Sequence, residues 1–125
     1  MRILPILVAT GLAFSLGAGS AHAGPARLNA AAIKQLFPGY FEARVKGYKV
    51  TLTGHKNGAL KGEAYGRKDE GRWSVKGNAL CVSFNDWTKG EAMCGTIVKD
   101  GEWFVAAIND GSKMKFRPLM VAQQN

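Results

Sequence analysis

Acidic side chains are scarce in this chain. Its 125 residues hold 9 Asp and Glu against 17 Lys and Arg, a formal net charge of +8. Proline is sparse at 4 residues, cysteine is limited to 2 and histidine to 2. These shortages exclude most familiar chemistries. Beyond residue 23 only His55 remains, so a tetrahedral zinc site lacks ligands. No C-x-x-C pair provides a redox motif, and no G-x-S-x-G elbow provides a serine nucleophile. The acidic turns Asp69-Glu70 and Asn109-Asp110 are too thin for a calcium loop. No spacing singles out a carboxylate pair for glycoside cleavage. The length leaves room for one domain. No catalytic residue, metal ligand or cofactor is expected, and the chain is read as a non-enzyme.

The N-terminus reads as an export leader. Met1-Arg2 is a short positive start, Ile3 to Leu16 is mostly apolar, and Ala21-His22-Ala23 offers small residues for a peptidase. Cleavage is expected after Ala23. The apolar run falls short of the ~20 residues a spanning helix needs, and Gly17, Gly19 and Ser20 follow it. No transmembrane segment is therefore expected once the leader is gone. The remaining 102 residues carry +7 and are assigned to the periplasm or the exterior. They divide into an arm and short helix over 24–37, a β domain over 38–120 and a tail over 121–125.

Asn29 is a cap for a helix over 30–37, which Pro38-Gly39 stops. After Pro38 the apolar period changes to two. Phe41, Ala43 and Val45 alternate with Glu42, Arg44 and Lys46, and the same holds around Tyr48, Trp73, Leu80 and Met114. Gly-rich turns, Asp69-Glu70-Gly71 among them, recur about every 8–12 residues, the spacing of an all-β sandwich or barrel. Eight strands are expected, near 40–46, 48–53, 59–65, 71–76, 79–84, 91–98, 102–108 and 113–117. Connections this short make neighbours antiparallel. An up-and-down barrel closing on itself is expected, with a strongly bent open sheet as the alternative. Trp73, Trp103, Phe41, Phe84, Phe104, Phe116 and Tyr48 are candidates to fill it. Gly71-Arg72-Trp73-Ser74-Val75 and Gly101-Glu102-Trp103-Phe104-Val105 echo each other, as if both strands put a Trp in the core.

Two cysteines in an exported chain imply one structural disulfide. A hairpin centred on Trp87-Thr88 sets residue 84 opposite 91, 82 opposite 93, and Cys81 opposite Cys94. The bridge then lies on the small-residue face, away from Leu80, Val82, Phe84, Met93 and Ile97.

The pattern Gly71-x-Trp73-x-Val75-x-Gly77-x-x-Leu80-Cys81, followed by Cys94 and Asp100-Gly101, resembles small exported proteobacterial proteins of unknown function. The resemblance implies a secreted, disulfide-bonded β domain and carries over no functional residue. Size, cysteine count and strand content are also similar to small barrel-shaped periplasmic protease inhibitors.

Two features point to a partner. Arg44, Lys46, Lys49, Lys113, Lys115 and Arg117 fall on outward strand positions, and a basic surface attracts polyanions. The same cations can instead serve only to solubilise the sheet. Trp87 and Lys89 sit in the 85–90 hairpin tip, where the Trp either displays itself to a partner or folds back as a lid. The expected function is binding of an anionic envelope component. Inhibition of an exported protease or lysozyme, through residues 24–28 or 85–90, is the alternative partner reading. A small-ligand carrier is the third.

Overall fold

The computed structural model describes residues 26–119. The leader at 1–23, Gly24-Pro25, Met120 and the tail at 121–125 lie outside the described residues. Eight antiparallel strands follow one helix. They are α1 (Ala30–Leu36), β1 (Gly39–Val45), β2 (Tyr48–Gly54), β3 (Ala59–Ala64), β4 (Arg67–Lys76), β5 (Ala79–Phe84), β6 (Met93–Asp100), β7 (Trp103–Ile108) and β8 (Lys113–Pro118). Each strand pairs with the next, and β1 pairs with β8, closing the barrel. Closure removes the free edges that the open-sheet alternative would leave.

Eight strands enclose an interior just wide enough for side chains to fill. Phe41, Leu52, Leu60, Leu80, Ile97 and Phe116 occupy it, all at most 3% exposed. The helix completes this core at one end. Asn29 Oδ1 accepts the Ala32 amide at 2.9 Å, capping α1 as its sequence position suggests. Ile33 and Phe37, one turn apart, are fully buried. Phe37 stacks on Phe41 at 5.0 Å and meets Phe116 edge-on at 5.9 Å. The helix therefore plugs the barrel, and Asn78 Oδ1 accepts the Ala30 amide to tie the plug to the β4–β5 turn.

Because the strands run up and down, four connections share the opposite end: 46–47, 65–66, 85–92 and 109–112. At this hairpin end Lys46 (φ 50°) and Tyr65 (φ 52°) lead two-residue turns, followed by Gly47 and Gly66, also at positive φ. Asn or Gly is favoured at such a lead position, and other side chains there cost about 1–2 kcal/mol. At the helix end, glycines (Gly77 and Gly101) lead the two-residue turns instead.

Four sequence expectations change. Asp69-Glu70-Gly71 is not a turn: β4 runs straight through it, and the chain reverses at Tyr65-Gly66. The Trp echo breaks, because Trp73 is buried inward whereas Trp103 lies on the outer face of β7, with Phe104, Ala106 and Ile108 turned inward. Tyr48 has inward parity with Val50 and Leu52 but sits beyond the last packed layer and is 60% exposed. The β5–β6 ladder stops at Val82–Met93. Beyond it Thr88 Oγ1 takes the Phe84 amide, and the Gly90 amide donates to the Phe84 carbonyl, so Phe84 and Glu91 do not pair as strand residues.

Candidate functional site

The outward residues of β2, β1, β8 and β7 form one continuous wall. Arg44 of β1 is in direct register with Lys49 of β2 on one side and Lys115 of β8 on the other. Three cations therefore stand in a row across three strands. Like charges directly opposite one another destabilise a sheet, so the row needs a counter-charge. Lys113, on the same face of β8, and Lys46, in the adjoining turn, lie nearer the hairpin end. Lys46 reaches Asp110 only at 3.8 Å.

One carboxylate offsets part of this charge. Glu42 faces outward yet is only 6% exposed, because two arginines fold over it. Its Oε2 accepts Arg44 Nη2 at 2.7 Å and its Oε1 accepts Arg117 Nη2 at 3.1 Å. The Arg44 hydrogen bond holds the Glu42 carboxyl below its usual range, against the opposing effect of burial, with Arg117 assisting. Arg117 also meets Glu102 at 2.9 Å. Its guanidinium lies 4.5 Å from the Trp103 ring centre, and Lys115 Nζ lies 4.9 Å from the same ring. Trp103 is thus the floor of a basic patch.

The six wall cations consequently differ. Arg44 and Arg117 are held by Glu42, whereas Lys49, Lys113 and Lys115 are exposed and have no salt bridge among the described residues. Glu42→Gln removes the charge that restrains both arginines. It is expected to lower stability by about 1–3 kcal/mol, since two charge-assisted hydrogen bonds weaken. Retention on a dextran sulfate matrix should rise at the same time. Urea denaturation and salt elution measure the two effects, and unchanged retention would show that Glu42 does not set the anion affinity.

Trp87 and Lys89 are elsewhere. They rise from the β5–β6 loop, on the wall opposite β1. Trp87 leans across the mouth of the barrel, with its ring centre 4.9 Å from that of Phe84. It also lies over Gly62 of β3, where an added Cβ would meet Trp87 Cζ3 at 2.6 Å. Gly62 is bare because the lid occupies its side-chain space. The ring still leaves 37% of Trp87 exposed.

Asp69 is the residue that sequence reasoning misplaced. It lies inward on β4, 6% exposed. Its carboxylate accepts the backbone amides of Glu70 at 2.8 Å, Asp86 at 2.9 Å and Trp87 at 2.8 Å. Burial raises its pKa, but these three donors outweigh that effect and the net direction is downward. The parity of Trp73 and Gly71, counted back by twos, places Asp69 inward; its Asp-Glu-Gly setting obscured this.

His55 is exposed in the β2–β3 turn, and its carbonyl accepts the Trp73 indole N–H at 2.7 Å. Beside it Lys34, Pro38, Lys56 and Val75 border an open groove of about 640 Å³. Residues 27–28 of the arm are laid along β6, through an Arg27–Val98 bridge and the Leu28 amide on the Ile97 carbonyl. Among the described residues, no group of three His, Cys, Asp or Glu is placed to hold a metal, and no helix is long and apolar enough to cross a membrane. No family model, curated protein or solved structure matches the chain.

Proposed function

We propose that this protein is an exported, non-enzymatic barrel that binds an anionic component of the cell envelope. The observation that carries this proposal is the in-register row Lys49–Arg44–Lys115. A row of like charges works against the sheet that bears it and becomes favourable when an anion spans it. Lys113 and the Trp103 floor extend the patch. The filled interior counts against a carrier, and the docking of residues 27–28 on β6 counts against that arm as a free inhibitory segment.

Lys49→Gln/Lys113→Gln/Lys115→Gln removes three exposed cations whose side chains have no hydrogen-bonded partner among the described residues. Each cation near an anionic surface contributes about 1 kcal/mol. Retention on phosphatidylglycerol vesicles or dextran sulfate should therefore fall by roughly tenfold to hundredfold. Added salt should weaken the unmodified protein toward the variant. Equal retention of the two proteins would end the proposal.

A further inference from the structure

The large exposed hydrophobic side chains among the described residues are Tyr48, Tyr65 and Trp87. All three lie at the hairpin end of the barrel, at the start of β2, in the β3–β4 turn and in the β5–β6 loop. Among the described residues the helix end shows no counterpart. Tyr48 and Tyr65 touch each other edge-to-face, with ring centres 6.0 Å apart. Tyr65 is 72% exposed, although its backbone takes a left-handed conformation that favours Asn or Gly. The Tyr65 hydroxyl accepts the Lys49 amide at 3.4 Å, linking the two hairpins.

The same two hairpins carry cations. Lys46 and Lys49 flank Tyr48, and Arg67 and Lys68 follow Tyr65; all four are exposed. The acidic residues against this group are Glu63, opposite Lys68, and Asp110, 3.8 Å from Lys46. Lys49 also belongs to the cationic row of the wall, so the aromatic tips and the basic face are one surface.

Tyrosine and tryptophan present an apolar ring with a polar edge, which suits the boundary between lipid headgroups and acyl chains. Basic residues beside them attract an anionic leaflet. We infer that the hairpin end docks on an anionic lipid bilayer, with Tyr48 and Tyr65 entering the headgroup layer and Trp87 at its margin. Lys46, Lys49, Arg67 and Lys68 meet the phosphates. This inference rests on the anionic-component proposal and specifies its partner as a lipid surface rather than a soluble polymer or a glycan.

Tyr48→Ser/Tyr65→Asn tests it without removing a charge. Tyr48 lies outside the packed core, and Asn suits the left-handed turn position, so the barrel should remain folded. The purified protein and this variant are compared on phosphatidylglycerol-containing vesicles, pure phosphatidylcholine vesicles and dextran sulfate. The expected result is selective binding of the unmodified protein to anionic vesicles. The variant should bind those vesicles about tenfold more weakly while retaining dextran sulfate equally well. Equal vesicle binding by the variant overturns docking through this end and leaves the basic-face proposal standing. Binding of the unmodified protein to dextran sulfate but not to vesicles has the same consequence. A variant that loses dextran sulfate as well as vesicles reassigns the tyrosines to general anion or glycan contact and also overturns the lipid inference. Failure of the unmodified protein to bind either anion overturns both proposals.

Discussion

Asp69→Ala should lower the stability of the barrel by about 2–4 kcal/mol and free the Trp87 loop. The carboxylate is buried and accepts three backbone amides, two of which belong to a loop 17 and 18 residues further along the chain. Each hydrogen bond to a charged group contributes about 1.5–3 kcal/mol. The total is less than their sum, because water can enter at the mouth and satisfy part of what is lost. Asp69→Asn keeps the shape but loses the charge and turns one donor toward the amides, so a smaller loss is expected. Denaturant unfolding reads the stability. Hydrogen exchange at Asp86 and Trp87 reads the loop, which should lose protection even in stabilising buffer. A loss below about 0.5 kcal/mol with unchanged exchange would assign loop closure to Trp87 packing alone.

The same carboxylate sets an acid limb. Its folded pKa lies below the ordinary Asp value of about 3.9, so protons bind the unfolded chain first as pH falls. Its contribution is complete above that ordinary value and is lost as pH falls through the lowered one. Glu42 acts in the same direction. Stability should therefore decline below about pH 4 in the unmodified protein. The decline should be shallower in Asp69→Asn, which has no proton to take up at that position.

Local alternation is legible in a sequence; depth and distant partners are not. Parity placed Phe41, Leu52 and Phe116 correctly, because polar neighbours such as Glu42, Thr51 and Lys115 face outward, and placed Leu80 and Val82 correctly, because they alternate with the smaller Ala79, Cys81 and Ser83. It misled at Tyr48, where the face was right but the residue stood beyond the core. It could not decide β7, whose Trp103, Phe104 and Val105 are apolar on both sides. Inward placement of Phe104 is fixed by Phe116, 5.6 Å away on β8. Trp103 is then left outside, under Lys115 and Arg117. The alternation with Phe41 and Ala43 puts Glu42 on the outward face of β1. It is outward, but its cover includes Arg117, 75 positions away and adjacent only because β1 and β8 close the barrel. Asp69 was hidden for a similar reason: two of the amides that permit its burial come from another hairpin. The cationic residues of the candidate wall were each visible in the sequence. Their alignment into a row was not, since it depends on the β1–β2 and β1–β8 registers together.

Loss of the disulfide, through Cys81→Ala/Cys94→Ala, should cost about 2–4 kcal/mol without selectively abolishing anion binding. Cys81 and Cys94 are direct cross-strand partners and are joined in the structure, with no free cysteine remaining. The bridge lies on the outer face of β5 and β6, so its removal leaves the packing of Leu80, Val82 and Ile97 in place. Its contribution is therefore assigned to the unfolded chain, where a link between residues 13 apart restricts the ensemble. Loop-closure entropy gives roughly 3 kcal/mol for a loop of this length. The β5–β6 connection also makes this link consequential. It is an eight-residue loop held mainly by Asp69, Thr88 and the Trp87 lid, between a barrel whose other hairpins turn in two to four residues. Removing the bridge and the Asp69 carboxylate together should thus destabilise by more than the separate effects added, because each limits the loop that the other leaves free. The cationic row lies on the far wall, and its register is set by β1, β2 and β8. Dextran sulfate retention of the cysteine variant, measured where it is still folded, should consequently match that of the unmodified protein. Two titratable thiols in native protein alkylated at lysis would remove the bridge from the account. A selective loss of retention in the folded variant would instead couple it to the binding wall.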